Sequence, residues 1–232
     1  MPDLEAEKAL AAARAVQEVE DGMLVGLGTG STASYAVRFL AERMGKGLKF
    51  KGTATSRATE TLAQSLGIGL LPLVSISRVD LTIDGADEID PHLRAIKGGG
   101  GALLREKLVA SASDRVIVIV DSSKPVDQLG RFRLPVEALP FARAYVESAL
   151  TELGAPVALR TRTDGTPFVT DQGGYIFDLG FGSVEDPAGI AAALDAIPGV
   201  VEHGLFLTEI DRVVIARGDM LEIIDRGDES GS

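Results

Sequence analysis

The run Met23-Leu24-Val25-Gly26-Leu27-Gly28-Thr29-Gly30-Ser31-Thr32 decides the fold class. Its first five residues are apolar and closed by glycines, the pattern of a short buried strand. Ser31–Met44 then places Ala33, Tyr35, Val37, Phe39 and Leu40 among polar residues, as a helix does. Upstream, residues 4–20 are rich in Ala and Glu at helical spacing. Downstream follow a strand over Phe50–Ala54, a helix over Ala58–Leu66, a strand over Val79–Ile83, a helix over Ala102–Ala112 and a strand over Val116–Val120. Strand and helix alternating at βαβ spacing predict an α/β protein with a mostly parallel, Rossmann-like sheet carrying helices on both faces.

The rhythm changes after Pro125. A strand over Arg133–Glu137, a helix over Arg143–Leu153 and a strand over Val157–Arg160 are followed by the turn pair Asp164-Gly165. Strand-like stretches near Pro167–Thr170 and Tyr175–Leu179, a helix over Pro187–Ala196 and a strand over Val200–Leu207 complete the series. That order matches a ferredoxin-like split βαβ module of α+β type. The expected division is therefore 1–129 with 205–232 as the larger domain and 130–204 as a smaller one, the latter serving as an interface. Strands over Arg212–Ala216 and Met220–Ile224, turning at Gly218-Asp219, return to the larger sheet, and the tail from Gly227 to Ser232 is expected to fray. The Arg-Gly-Asp triplets at 217–219 and 226–228 read as turn and tail rather than as adhesion motifs.

Composition removes several classes of function. The chain has 232 residues, 45% hydrophobic and 25% charged, so a sizeable core is available and wholesale disorder is excluded. A formal net charge of −11 argues against a nucleic-acid partner, which would call for a basic face. Cysteine is absent, ruling out disulfides and thiolate chemistry, and His92 and His203 stand too far apart in sequence to suggest a zinc site or a triad. Met1–Glu20 carries five acids and no apolar signal core, and no apolar run approaches the ~18 residues a membrane span needs. A cytoplasmic protein with no membrane association is expected. Asn is absent and Gln scarce, which fits either a protein that works hot or a GC-rich genome.

In a parallel sheet, ligands collect beyond the carboxyl ends of the strands. Gly28-x-Gly30-x-x-Ala33 matches the dinucleotide fingerprint, but Gly52-Thr53-Ala54-Thr55-Ser56 lacks the carboxylate that a ribose would need. What remains suits one phosphate monoester or, equally, a tight turn with Ser31 as helix cap. Asp84-Gly85-Ala86-Asp87-Glu88-Ile89-Asp90 holds four acids, open to reading as a solvated turn, a cation site, or carboxylates that bind hydroxyls and move protons. Four glycines after Lys97 are expensive to order, so close backbone approach to a developing oxyanion is the better account of Lys97-Gly98-Gly99-Gly100-Gly101. Glu106 has Ala102, Leu103, Val109 and Ala110 as its helical neighbours, which removes an ion pair within the helix and leaves a solvated or a catalytic carboxylate. Asp121-Ser122-Ser123-Lys124-Pro125 adds a second cation after a strand. These loops together fit a small anionic polyol undergoing proton transfer without metal or coenzyme.

The ordered set Gly28-Thr29-Gly30-Ser31-Thr32, Asp84-Gly85-Ala86-Asp87-Glu88, Lys97-Gly98-Gly99-Gly100, Arg105-Glu106-Lys107 and Asp121-Ser122-Ser123-Lys124 resembles the motifs of ribose-5-phosphate isomerase, type A. Pro198-Gly199-Val200-Val201 extends the likeness, which covers nearly the whole chain to about residue 210. The resemblance implies interconversion of D-ribose 5-phosphate and D-ribulose 5-phosphate in the non-oxidative pentose phosphate pathway, through an enediolate, without cofactor, in a homodimer or homotetramer. It implies Glu106 as the base between C1 and C2, Asp84 in ring opening, Asp87 on hydroxyls, and Lys97 with the Gly98, Gly99 and Gly100 amides on the enediolate oxygen. Thr29, Gly30, Ser31, Thr32, Gly85, Ala86 and Lys124 would complete the sugar-phosphate contacts, with Lys8 reaching in from the first helix. Two rivals remain at this level: a non-catalytic sugar-phosphate sensor, which would need no Glu106, and acyl-CoA transfer through a nucleophilic Glu.

Overall fold

A computed structural model describes residues 3–227. In chain order the elements begin with α1 (Leu4–Ala15), β1 (Leu24–Leu27), α2 (Ser31–Gly45), β2 (Lys51–Ala54), α3 (Arg57–Ser65), β3 (Leu81–Asp84), β4 (Glu88–Ile89) and β5 (Ala95–Ile96). They continue through α4 (Leu103–Ser111), β6 (Val116–Asp121), β7 (Leu134–Ala138), α5 (Arg143–Thr151), β8 (Val157–Leu159) and β9 (Tyr175–Leu179). The last are α6 (Pro187–Asp195), β10 (Val200–His203), β11 (Leu205–Phe206), β12 (Arg212–Arg217) and β13 (Met220–Asp225). Two compact units result, Met1–Ala86 with Arg105–Pro125 and Thr208–Ser232, and Asp87–Leu104 with Val126–Leu207. Compared with the boundaries read from sequence, the second unit also takes in 87–104, 126–129 and 205–207. Within the expected tail, 228–232 lie outside the described residues.

In the first unit six strands run in the order β13-β12-β6-β3-β1-β2. All neighbours are parallel except the β12–β13 hairpin. Strand alternation sends Val25, Leu27, Leu81 and Ile83 to one face, where Ala11, Ala12 and Ala15 of α1 and Ala36, Val37 and Leu40 of α2 complete a buried core. Gly26 and Thr82 point the other way, and there α4 crosses: a Cβ on Gly26 would stand 2.7 Å from Val109 Cγ1. Helices therefore cover both faces of this sheet, as the apolar strand composition requires.

In the second unit β10-β7-β9-β8 form one fully antiparallel sheet. With α5 after β7 and α6 after β9, this is the split βαβ order that the sequence predicts. Two expectations are corrected here. Pro167–Thr170 forms no strand but isolated bridges, Thr161 to Pro167 and Val169 to Tyr175, because turns closed by Arg162 N to Thr166 O (2.8 Å) and Thr170 N to Gly174 O (2.9 Å) hem it in. The expected strand over Val200–Leu207 breaks at Gly204, where a Cβ would lie 2.3 Å from the Lys97 carbonyl oxygen. Beyond that break β11 joins β5 and β4 in a small sheet, β11-β5-β4, whose two-residue strands carry no readable periodicity.

Glu137 on β7 is a buried carboxyl group. Its Oε1 accepts from the Thr170 hydroxyl at 2.6 Å and its Oε2 has no hydrogen-bond partner. Burial pushes its pKa up despite the Thr170 bond, and the charges of Glu202 and Asp171 add to the rise. A raised folded-state pKa favours the protonated fold, so this contribution is complete below the unfolded-state carboxyl pKa and is lost as pH climbs through the folded value. Glu137→Gln should therefore match wild-type melting at about pH 4 and melt a few degrees higher at about pH 8. Scanning calorimetry at both pH values checks this, and an equal difference at both would contradict it.

Candidate active site

The carboxyl ends of β1, β2, β3 and β6 open on one edge of the parallel sheet, and their loops carry the polar residues. Asp84, the last residue of β3, is only 2% exposed. Its Oδ1 accepts from the Thr29 amide at 2.9 Å and from the Gly85 amide at 2.8 Å. The loop after β1 lies directly on this carboxylate, since a Cβ on Gly28 would stand 2.1 Å from Asp84 Oδ1 and 2.5 Å from its Cα. Glycine is thus required at 28 by proximity, not by φ.

The same loop is tied to the end of β2 by hydroxyls. Thr29 Oγ1 lies 2.7 Å from Thr55 Oγ1 and donates to Ser56 Oγ at 2.9 Å, while Thr59 Oγ1 donates to the Gly28 carbonyl at 2.8 Å. The Thr29 side chain is turned into this cluster, leaving its loop's outward groups at Gly30, Ser31 and Thr32. Gly30 caps α2 at φ +100° with no side-chain capping bond, so Ser31 is the first helical residue rather than the cap. The opening amides of α2 face the carboxyl edge, a natural site for an anion.

At the end of β6, Asp121 Oδ1 accepts from the Ser123 amide (2.9 Å) and hydroxyl (2.5 Å), shaping the loop that carries Lys124. Glu7, read from the sequence only as one acid of the first helix, anchors this loop from below. Its buried carboxylate accepts from the Ser122 and Gly218 amides, each at 2.8 Å. The Ser122 side chain and these two amides hold its pKa below the ordinary carboxylate range. Only the fold brings residue 7 to residues 122 and 218, so no local signal marks it. Lys8, one position on, pairs its ammonium with Glu5 Oε1 at 2.7 Å, and Glu5 in turn accepts from Tyr35 at 2.9 Å.

Glu106 lies on α4 and is 5% exposed, which removes the solvated-surface alternative. Val109, one turn later, is the residue that packs over Gly26. Residues at i and i+3 share a helix face, so Glu106 sits on the sheet-facing stripe, one turn nearer the amino end of the helix. That end is the one at the carboxyl edge of the sheet, because α4 returns antiparallel to β6.

The second unit holds the remaining motif residues. Asp87 Oδ2 accepts from the Gly99 amide at 2.7 Å. Glu88 accepts from the Gly130 amide (2.8 Å) and the Phe132 amide (2.6 Å). Asp90 receives the His92 and Arg94 amides, both at 2.9 Å, and the Arg94 Nε at 2.6 Å. The acids of 84–90 therefore do not gather into one solvated turn or cation site. Glu88 and Asp90 are buried structural acceptors, while Asp84 and Asp87 face the glycine-bearing loops. Lys97 is 3% exposed, with Nζ 5.4 Å from the centre of the Phe206 ring. Gly98 and Gly101 adopt φ of +98° and +78°, and the Gly101 amide closes a turn on the Gly98 carbonyl at 2.9 Å. Thr29–Thr32, Asp84, Glu106 and Lys124 thus belong to the first unit, and Asp87, Lys97 and Gly98–Gly100 to the second. Among the described residues no three His, Asp or Glu side chains assemble to hold a metal ion, and no helix is long and apolar enough to cross a membrane.

Residues 51–220 match the family model described as ribose 5-phosphate isomerase A (phosphoriboisomerase A). The ribose-5-phosphate isomerase A of Sphingopyxis alaskensis is 60% identical over 228 residues, covering 98% of this chain and 100% of that one. That of Bradyrhizobium diazoefficiens is 50% identical, covering 97% of each chain. Among solved structures, a D-ribose-5-phosphate isomerase in complex with phospho-erythronic acid superposes with a TM-score of 0.93 at 35% identity, covering 97% of this chain and 100% of that one. Ribose 5-phosphate isomerase A from Methanocaldococcus jannaschii gives a TM-score of 0.91 at 37% identity, covering 95% of this chain and 99% of that one.

The contact between Gly28 and Asp84 leaves no room for a methyl group. Gly28→Ala should destabilise the fold by about 1–3 kcal/mol, the usual range for overpacking against backbone. Gly45→Ala, at a helical position where a Cβ would meet nothing within 4 Å, should be neutral or slightly stabilising. Urea denaturation of both variants checks the pair; wild-type stability in the first would show the loop free to lift away from β3.

Proposed function

Because the chain belongs to the ribose 5-phosphate isomerase A family, we propose that its interconversion of D-ribose 5-phosphate and D-ribulose 5-phosphate uses Glu106 as the general base and runs through an enediolate. The observation that carries this reading is the burial of Glu106 on the sheet-facing stripe of α4, at the edge where β3 ends in Asp84. A proton α to a sugar carbonyl is very weakly acidic, so a carboxylate removes it only if the oxygen's developing charge is met at the same moment. Lys97 and the Gly98–Gly100 amides supply that charge stabilisation, each preorganised donor contributing roughly 2.7–4 kcal/mol. Glu106 takes the proton from C2 of the aldose and returns it to C1 of the enediolate, while the hydroxyl proton passes from O2 to O1, so one carboxylate serves as base and acid at carbon.

Asp84 assists opening of the furanose ring and Asp87 binds sugar hydroxyls. Gly30, Ser31, Thr32 and Lys124 hold the phosphate, with Thr29, Gly85 and Ala86 shaping the loops beside it. Lys8 is a weaker candidate, its ammonium being engaged by Glu5. The same family membership supports a place in the non-oxidative pentose phosphate pathway, a cytoplasmic location and a homodimeric or homotetrameric assembly, and the absence of Asn is consistent with a protein that works hot. Neither the sensor nor the acyl-CoA transfer alternative has an observation in its favour.

Glu106→Gln should bind ribose 5-phosphate while kcat falls by about 10²–10⁴-fold. Steady-state assay with equilibrium binding checks this, and near-wild-type turnover would remove Glu106 from its role. Lys124→Ala should raise KM about tenfold with little change in kcat, as expected for loss of one charged contact to phosphate. An unchanged KM would contradict that contact.

A further inference from the structure

The glycine loop of the second unit is held from behind by a residue that belongs to none of the motifs. Arg160, immediately after β8, continues the β8–β9 ladder through its amide, which donates to the Ile176 carbonyl at 2.7 Å. Its guanidinium works in two directions. Nε and Nη2 donate to Asp178 Oδ2 and Oδ1 at 2.9 and 2.5 Å, a bidentate pair that fixes the plane of the fork. Nη1 donates to the carbonyls of both Gly98 and Gly99, each at 3.1 Å. The centre of the Phe168 ring lies 5.9 Å from the guanidinium carbon, and the ring fills the space beside Gly101, where a Cβ would stand 2.5 Å from Cε1.

In a trans peptide the C=O and N–H of one unit point in opposite directions. Holding the Gly98 carbonyl toward Arg160 therefore turns the Gly99 amide away from it, and that amide is the one donating to Asp87. The same geometry applied to the Gly99 carbonyl turns the Gly100 amide to the side away from Arg160. A cation on the two carbonyls also polarises both peptides, making their N–H groups stronger donors. We propose that Arg160, locked by Asp178, is the positioning residue that turns the Gly99 amide onto Asp87 and aims and polarises the Gly100 amide of the loop. This rests on the reading above that the loop stabilises the enediolate oxygen. Lysine cannot replace it, because one ammonium cannot span a carboxylate and two carbonyls in a fixed plane.

The test uses the full-length Arg160→Gln and Arg160→Lys proteins, assayed with ribose 5-phosphate and titrated with two probes. Phospho-erythronic acid carries a carboxylate where the enediolate carries its charge, and ribitol 5-phosphate is neutral there. The expected result is a kcat lowered about 10–100-fold with KM within about threefold, and phospho-erythronate affinity lowered by a similar factor as kcat. Ribitol 5-phosphate affinity should stay within about twofold, a split that simple loosening of the fold would not produce. Asp178→Asn, which keeps the guanidinium but weakens its anchor, should give the same split at smaller amplitude and serves if the Arg160 variants do not fold. Wild-type kcat and phospho-erythronate affinity in these variants, or equal loss of both probes, would overturn the proposal. Failure of the loop reading itself would look different: the wild-type protein would then bind the two probes equally. Failure of the base would appear in Glu106→Gln alone and leave the probe split at Arg160 intact.

Discussion

A single oxygen atom, Oδ1 of Asp84, organises the carboxyl edge of the large sheet. It ends β3, accepts the amides of Thr29 and Gly85, and lies so close to Gly28 that no side chain fits between them. Through Thr29 the constraint passes to Thr55, Ser56 and Thr59, so the loops after β1, β2 and β3 are set as one piece. The start of α2 is aimed by the same contact, because Gly30 follows one residue after Thr29. This buried carboxylate is the keystone of its surroundings, so the geometry of three loops depends on one side chain.

Several buried carboxylates of this acidic chain are satisfied largely by backbone amides. Glu7 takes the amides of Ser122 and Gly218, Glu88 those of Gly130 and Phe132, and Asp90 those of His92 and Arg94. Each such bond offsets desolvation while pinning a loop to a strand or helix some distance away in sequence. Glu137 differs from these three, since its Oε2 has no hydrogen-bond partner and burial raises its pKa. Glu18 is met differently, by the guanidinium groups of Arg14, Arg115 and Arg212.

Much of the fold was legible from local pattern. Short apolar runs closed by Gly or polar residues, such as 24–27 and 116–121, had to be strands buried on both faces, and the alternating helices followed from spacing. The β4, β5 and β11 strands were not legible, because two residues carry no period. The break at Gly204 was hidden for another reason: it answers to the Lys97 carbonyl, a neighbour 107 positions away along the chain.

By itself, then, the sequence determined the sheet class, the split βαβ module and the family, since those rest on periodicity and on motifs contiguous in the chain. It also pointed to Glu106, whose neighbours at helical spacing offered no ion pair. Only the tertiary structure decided which of the acids at 84–90 are structural, that Glu7 supports the Ser122 loop, and that Arg160 grips Gly98 and Gly99. The physical reason is that a hydrogen bond across the fold depends on the positions of both partners, and residues 7 and 218, or 99 and 160, acquire a distance only when the sheets have formed.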